Sequence, residues 1–258
     1  MKIFVCLKQV PDTEARIDLK PDQSGITETG FKWIMNPYDE FAVEECVKLK
    51  EKSPDAKVIA LTIGPKSRAQ EVLRTALALG ADEAIVVDSS DANDFTMVAN
   101  ALAKVITTEG GADLIFTGKL AIDDNGSAVG PMLATLLKIP HASSVTKIEY
   151  TADKKVVVER ELEGGSKEVI EMAMPCLIGA TKGLNTPRYA SLPNIMKAKK
   201  KPLKELNGAE FFSESDRKTR FIEFQLPKAK APVKMLAGEA KSQASELVNL
   251  LKNEAKVL

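Results

Sequence analysis

The sequence predicts an α/β fold, an open and mostly parallel sheet with helices on both faces, plus a C-terminal extension ending in a helix. Three observations carry this. From Lys2 to about Lys138, short runs rich in Val, Ile and Leu alternate with segments of helical periodicity. Those runs show little apolar–polar alternation, as expected of strands buried on both faces. The helical segments also begin and end on residues that start and stop helices.

The first strand is Ile3 to Leu7. The 28 residues Lys8 to Met35 separate it from the next helix, whereas such connections usually take about 2–6 residues. That stretch is therefore expected to be functional or to make its own hairpin. The first helix starts at Asn36-Pro37, a capping residue before a proline at the first helical position. Ala42, Val43, Cys46 and Val47 follow at helical spacing, with Leu49 just off the stripe. Val58 to Thr62 is the second strand. Val72, Leu73, Ala76 and Leu77 form the apolar face of a second helix that stops at Gly80. Strand Glu83 to Val87, helix Met97 to Ile106, strand Leu114 to Thr117 and helix Gly130 to Leu137 complete the repeating part.

After Pro140 the pattern changes. His141 reads as a turn residue, Val145 to Tyr150 and Val156 to Arg160 as an antiparallel hairpin, and Val169 to Met174 and Cys176 to Ala180 as its extension. Leu203 to Leu258 reads as a polar, proline-containing linker until a last amphipathic helix, about Gly238 to Leu258, with Ala244, Leu247, Leu250 and Leu251 on one face. Such a helix packs equally well on another subunit or on its own core.

Composition narrows the function. Lys plus Arg equals Asp plus Glu at 36 each, which argues against a dedicated nucleic-acid binder. No apolar run reaches the ~18–20 residues that span a bilayer, and no signal-peptide pattern opens the chain, so neither a membrane protein nor a secreted one is expected. Cys6, Cys46 and Cys176 lie far apart without a C-x-x-C, which points to a reducing compartment. One histidine, and no P-loop, G-x-G-x-x-G or G-x-S-x-G, removes most familiar catalytic and metal arrangements.

Two segments stand out. Thr117 to Gly130 leaves a buried strand and enters a helix, where open parallel sheets bind ligands. Within it Gly126 allows close approach of a phosphate, and Ser127, Ala128 and Val129 offer first-turn amides. Asp123 and Asp124 suit ribose hydroxyls or the ordering of the turn, with simple helix capping as the alternative. Asn36-Pro37-Tyr38-Asp39, at another helix start, is placed to line the same crevice. The second segment, Met172 to Lys204, has no acidic residue and seven basic ones, Lys182, Arg188, Lys197, Lys199, Lys200, Lys201 and Lys204. It is either a docking surface or a solvated lysine face.

The chain resembles the electron-transfer flavoprotein beta subunits over nearly its whole length. The resemblance rests on Met35-Asn36-Pro37, on Gly118-Lys119 with Ala121-Ile122-Asp123-Asp124, and on Val158-Glu159-Arg160-Glu161 with Gly164-Gly165 and Pro175. Most specific is the string Leu184 to Lys201. It implies an adenine-nucleotide alpha-hydrolase-like fold and a subunit without catalytic residues of its own. Its alpha partner would hold the redox-active FAD. Electrons would come from acyl-CoA and related dehydrogenases of fatty acid β-oxidation and leave to a membrane quinone reductase, the electron-transfer flavoprotein quinone oxidoreductase.

The resemblance also implies a structural AMP on Cys6, Asn36, Pro37, Tyr38, Asp39, Ile63, Gly118, Lys119, Leu120, Ala121, Ile122, Asp123, Asp124, Asn125, Gly126, Ser127, Ala128 and Val129. It marks Arg188, Tyr189, Ala190, Ser191, Leu192, Pro193, Asn194, Ile195, Met196 and Lys197 as the segment that docks the dehydrogenase, with Leu192 as its anchor. Residues 1–204 would be the nucleotide-binding domain, including a recognition loop at about 184–201, and 205–258 a linker and helix packed on the alpha subunit. The compartment would be a bacterial cytoplasm or a mitochondrial matrix. Ala128-Val129 departs from the Gln-Thr common in relatives, and Thr13 stands where some members place an aromatic residue against the flavin. Two other readings stay open: a bifurcating relative carrying a second FAD in place of AMP, and a stand-alone nucleotide-binding α/β protein.

Overall fold

A computed structural model describes residues 1–90 and 94–258, in two compact units: Met1–Asp18 with Thr27–Ile222, and Leu19–Ile26 with Glu223–Leu258. In the first unit the strands are β1 (Lys2–Leu7), β2 (Gln9–Pro11), β3 (Trp33–Met35), β4 (Lys57–Gly64), β5 (Glu83–Asp88), β6 (Leu114–Gly118), β7 (His141–Tyr150), β8 (Lys155–Glu161), β9 (Lys167–Ala173), β10 (Cys176–Ala180) and β11 (Leu203–Asn207). Its helices are α1 (Pro37–Lys52), α2 (Lys66–Leu79), α3 (Phe95–Thr108), α4 (Val129–Leu137) and α5 (Leu192–Ala198). Among the described residues the main sheet has the order β11-β5-β4-β1-β6-β10-β7-β8-β9. It is parallel from β11 to β7, and β8 and β9 then join as an antiparallel meander.

The central strands are apolar on both faces because both are covered. Ile3, Val5 and Leu7 of β1 enter one core with α1 and α2, while Phe4 and Cys6 enter the other with α3 and α4. Each fully buried Leu, Ile or Phe of this kind contributes about 1.5–3 kcal/mol. Gly80 ends α2 at φ 143°, and a Cβ there would stand 2.9 Å from Val47 of α1, so the same residue stops one helix and lets two approach.

Chain order sets a switch point in the sheet. From β1 the chain moves outward to β4 and β5, then returns past β1 to β6 and β10. The crossovers diverge between β1 and β6, and at such a switch point the carboxyl ends of the strands open a crevice.

The long connection after β1 makes its own hairpin, β2 pairing antiparallel with β3. Two expectations need correcting. His141 is not a turn residue: it is the first residue of β7 and pairs with Leu177, because Pro140, which has no N–H to give a ladder, ends the connection with its carbonyl accepting from Leu177. Leu203 to Asn207 is not linker but the parallel edge strand β11 beside β5. Only Leu203 and Leu206 are half-buried there, on opposite faces of the strand, one packing on the α1–α2 core and the other on the α3–α4 core, so no apolar run marks the strand.

In the second unit, Leu19 bridges Ile26 and the Phe224 amide donates to the Gln23 carbonyl. Its helix α6 (Ala240–Asn253) buries none of its residues, and Leu247 and Val248 are exposed.

Candidate functional site

The crevice is built around two fully engaged polar side chains at the start of α1. Asn36 is completely buried and occupies the N-cap position, yet its side chain does not cap. Its Nδ2 donates to the Leu120 carbonyl (2.8 Å) and to Asp39 Oδ1 (2.9 Å), and its Oδ1 accepts the Ile122 amide (3.2 Å). Asp39, 4% exposed, accepts from the Gly118 amide at Oδ1 (2.9 Å) and from the Lys8 amide at Oδ2 (2.7 Å). The ends of β1 and β6 are thus tied to α1 through side chains. Burial pushes the Asp39 carboxyl up to about 7, against hydrogen bonds that pull it down, and the Cys6 thiol beside it up to about 12.

Gly118 is required by this closeness. A Cβ there would lie 2.7 Å from Tyr38 Cβ and 3.0 Å from Asn36 Nδ2, and would overlap Asp39 Oδ1. Lys119 leaves the strand end with its ammonium 4.9 Å from the Tyr38 ring centre.

The loop from Ala121 to Ala128 forms the rim. Lys8 Nζ bridges Asp123 (2.8 Å) and Asp124 (2.6 Å). Desolvation lowers the Lys8 pKa, but these two carboxylates outweigh it and hold the ammonium above its ordinary value. Asp124 also accepts the Gly126 amide (2.8 Å), so it orders the turn, and Asn125 and Ser127 take positive φ around it. Helix α4 then begins at Val129 with no side-chain cap, so the Val129 and Gly130 amides of its first turn have no capping side chain, and Pro131 brings no amide of its own. Ile63, near the end of β4, follows Thr62, the partner of Leu7 in β1.

The structure therefore brings Asn36, Asp39, Gly118, Leu120 and Ile122 into direct contact and sets the rest of the rim, up to Ala128, beside them. Lys8 escaped the sequence reading, although it directly follows the apolar strand in register with the site. Phe95, whose ring lies against Gly126, escaped it too, because α3 is distant in sequence.

The second segment is displayed rather than folded back. Tyr189 is 99% and Leu192 79% exposed, with Ile195 and Met196 also exposed, so Leu192 does not return to the core. Residues 192–198 form α5, with Ser191 capping through the Asn194 amide. Among the described residues no helix is long and apolar enough to cross a membrane.

A family model described as "Electron transfer flavoprotein domain" matches residues 24–210. The chain is 41% identical over 264 aligned residues to "Electron transfer flavoprotein subunit beta" of Bacillus subtilis (strain 168), with the whole of both chains covered. It is 39% identical over 259 residues to the Arabidopsis thaliana protein "Electron transfer flavoprotein subunit beta, mitochondrial", again over both whole chains. It is 39% identical over 261 residues to the Mus musculus subunit beta, covering all of this chain and 99% of that one.

Proposed function

The chain belongs to the electron transfer flavoprotein family as a beta subunit, and from that premise we propose that it is the AMP-binding, partner-docking half of a heterodimer with an alpha subunit. FAD, held mainly by that alpha subunit, supplies the redox chemistry. Electrons come from acyl-CoA and related dehydrogenases and pass to a membrane quinone reductase. The compartment proposed is a bacterial cytoplasm or a mitochondrial matrix, in keeping with the name of the plant relative.

The observation that carries the nucleotide reading is the uncapped start of α4 beside the β1–β6 switch point. A phosphate fits there, its oxygens accepting from the amides around Ser127, Ala128 and Val129. Lys8 supports this by offsetting half of the charge of Asp123 and Asp124, which lessens their repulsion of an anion at the rim. Asn36 and Asp39 act as the floor, since their polar atoms already serve Leu120, Ile122, Gly118 and Lys8. AMP is favoured over a second FAD because Asp124, charged and held by Lys8, would leave less room for a pyrophosphate continuation and repel it.

The test is acid extraction of the purified heterodimer. One AMP and one FAD per heterodimer are expected; two FAD and no AMP would assign the crevice to a second flavin. The beta chain expressed alone should be colourless, and a yellow monomer with stoichiometric FAD would refute the division of labour.

A further inference from the structure

The segment 185–201 is held at both ends by pairs of side chains that face inward, while its middle faces out. At its start, Arg188 is forked between two carboxylates of α1. Nε and Nη2 donate to Glu44 (2.8 and 2.9 Å), and Nη1 and Nη2 donate to Glu51 (2.5 and 3.2 Å). The Arg188 backbone amide donates to Glu44 as well (3.2 Å), and Asn185 Nδ2 donates to the Phe41 carbonyl and to Glu45 (3.0 and 3.1 Å). Glu44 and Glu45 are buried on a helix whose other buried residues beyond its first turn are apolar, and the segment's donors are among their partners. Glu51 and then Glu44 hold the guanidinium far above its ordinary pKa.

At the other end two helices cap each other. Arg74 of α2 donates to the Ala198 and Lys201 carbonyls (2.8 and 3.1 Å), and Lys201 Nζ donates to the Leu77 and Ala81 carbonyls at the end of α2 (2.9 and 2.6 Å). Between the two fixed ends, Tyr189, Leu192, Ile195 and Met196 are exposed. A seven-residue helix such as α5 does not persist in water by itself. Its shape is imposed by the two ends.

We propose that Arg188, with Glu44 and Glu51, and Arg74, with Lys201, form a two-point clamp that preorganises the exposed apolar residues for docking. Arg188 is thus a positioning residue, not a contact for the partner, and Lys201 belongs to the clamp and not to any steering charge. This rests on the reading that the segment docks the dehydrogenase. The clamp removes in advance the freedom that docking would have to take from several side chains and from the backbone between them. Lysine cannot replace Arg188, since it lacks the planar fork that reaches two carboxylates together.

The test uses the heterodimer with its alpha subunit as the varied substrate of a reduced acyl-CoA dehydrogenase, together with hydrogen exchange. Arg188→Gln, and independently the milder Glu51→Gln and Arg74→Gln, should speed amide exchange across 192–198. Arg188→Gln should raise KM on the order of tenfold with kcat nearly unchanged, Arg188→Lys recovering only part. In a Leu192→Ala background the effect of Arg188→Gln on KM should shrink, because the clamp acts through the residues it displays. Unchanged exchange and KM in all three clamp variants overturn the clamp alone, as does an undiminished effect of Arg188→Gln in the Leu192→Ala background. Leu192→Ala with unaltered KM overturns the docking reading itself, and with it the purpose given to the clamp.

Discussion

Gly118→Ala is the sharpest test of the crevice floor. The methyl group would overlap Asp39 Oδ1 and press on Tyr38 Cβ and Asn36 Nδ2 at 2.7 and 3.0 Å. None of these can retreat freely. Asn36 is fully buried and holds Leu120 and Ile122, while Asp39 is fixed by donors from three directions. Overpacking of this kind costs about 1–3 kcal/mol. Moving Asp39 away strips a buried carboxylate of the Gly118 amide, where a bond to a charged group is worth about 1.5–3 kcal/mol. The two are alternative forms of relief, so the sum is not reached, and a loss of about 3 kcal/mol is expected.

Urea unfolding followed by the fluorescence of Trp33, the single tryptophan, reads this loss. Trp33 lies on β3 with Arg68 Cζ 3.8 Å from its ring centre and Phe31 edge-on, two contacts that unfolding removes. With a urea slope of about 2–3 kcal/mol per M for a chain of this size, the midpoint should fall by about 1 M. Gly126→Ala is the control: the nearest atoms to its methyl are the far end of the exposed Phe95 ring, a side chain that can turn away, so stability should change little. A Gly118→Ala midpoint equivalent to less than about 0.5 kcal/mol of destabilisation, the range of an ordinary surface change, would show that the ties of Asn36 and Asp39 do not hold the floor in place.

Asp39 also gives a pH signature: with its folded-state value raised to about 7, the folded chain keeps a proton that the unfolded chain loses above about 4, so its contribution to stability falls as pH rises between about 4 and 7. The difference in urea midpoint between parent and Asp39→Asn should decline across that window, and a flat difference refutes the assignment. Asp94 caps α3 through the Met97 amide and takes the Lys218 and Thr219 amides and the Thr219 hydroxyl; burial would raise its carboxyl, but these donors hold it well below the usual range. Asp94→Ala should cost about 2–4 kcal/mol and Thr219→Val clearly less, both by urea unfolding; equal losses would mean that the hydroxyl alone matters. Neutralising the exposed Lys197, Lys199 and Lys200 should slow association with a dehydrogenase and flatten its salt dependence without changing kcat; an unchanged salt slope assigns them to a solvated face.

The buried parallel strands were legible because each is an uninterrupted apolar run, and β1, β4, β5, β6 and β10 lie where those runs lie. The β2–β3 hairpin and β11 were harder to read for a physical reason. Each of β2 and β3 is three residues long, too short to show a period, and β11 needs only Leu203 and Leu206 to pack. Within the candidate site, Gly118 and the turn at Asp124 followed from strand ends and turn chemistry. The role of Asn36 did not. A residue at an N-cap position normally accepts from its own helix, and only the fold reveals that this one reaches across to Leu120 and Ile122 instead.

Helix α1 explains why these features belong to one design. Its sequence is apolar at Ala42, Val43, Cys46, Val47 and Leu49, and those residues are buried, so the helix is fixed to the sheet along its length. Sixteen residues make a rod about 24 Å long. Its first turn supplies Asp39, beside the Asn36 cap, and holds the ends of β1 and β6. Its middle and last turns supply Glu44, Glu45 and Glu51, and hold Asn185 and Arg188. Burying Asp39, Glu44 and Glu45 on such a helix is unfavourable unless each is matched by donors, and those donors come from the Lys8 and Gly118 amides for Asp39 and from Asn185 and Arg188 for the two glutamates, with the exposed Glu51 sharing Arg188. The acidic residues that look out of place in the amphipathic pattern are therefore the ones that attach the nucleotide crevice and the displayed segment to the same rigid element.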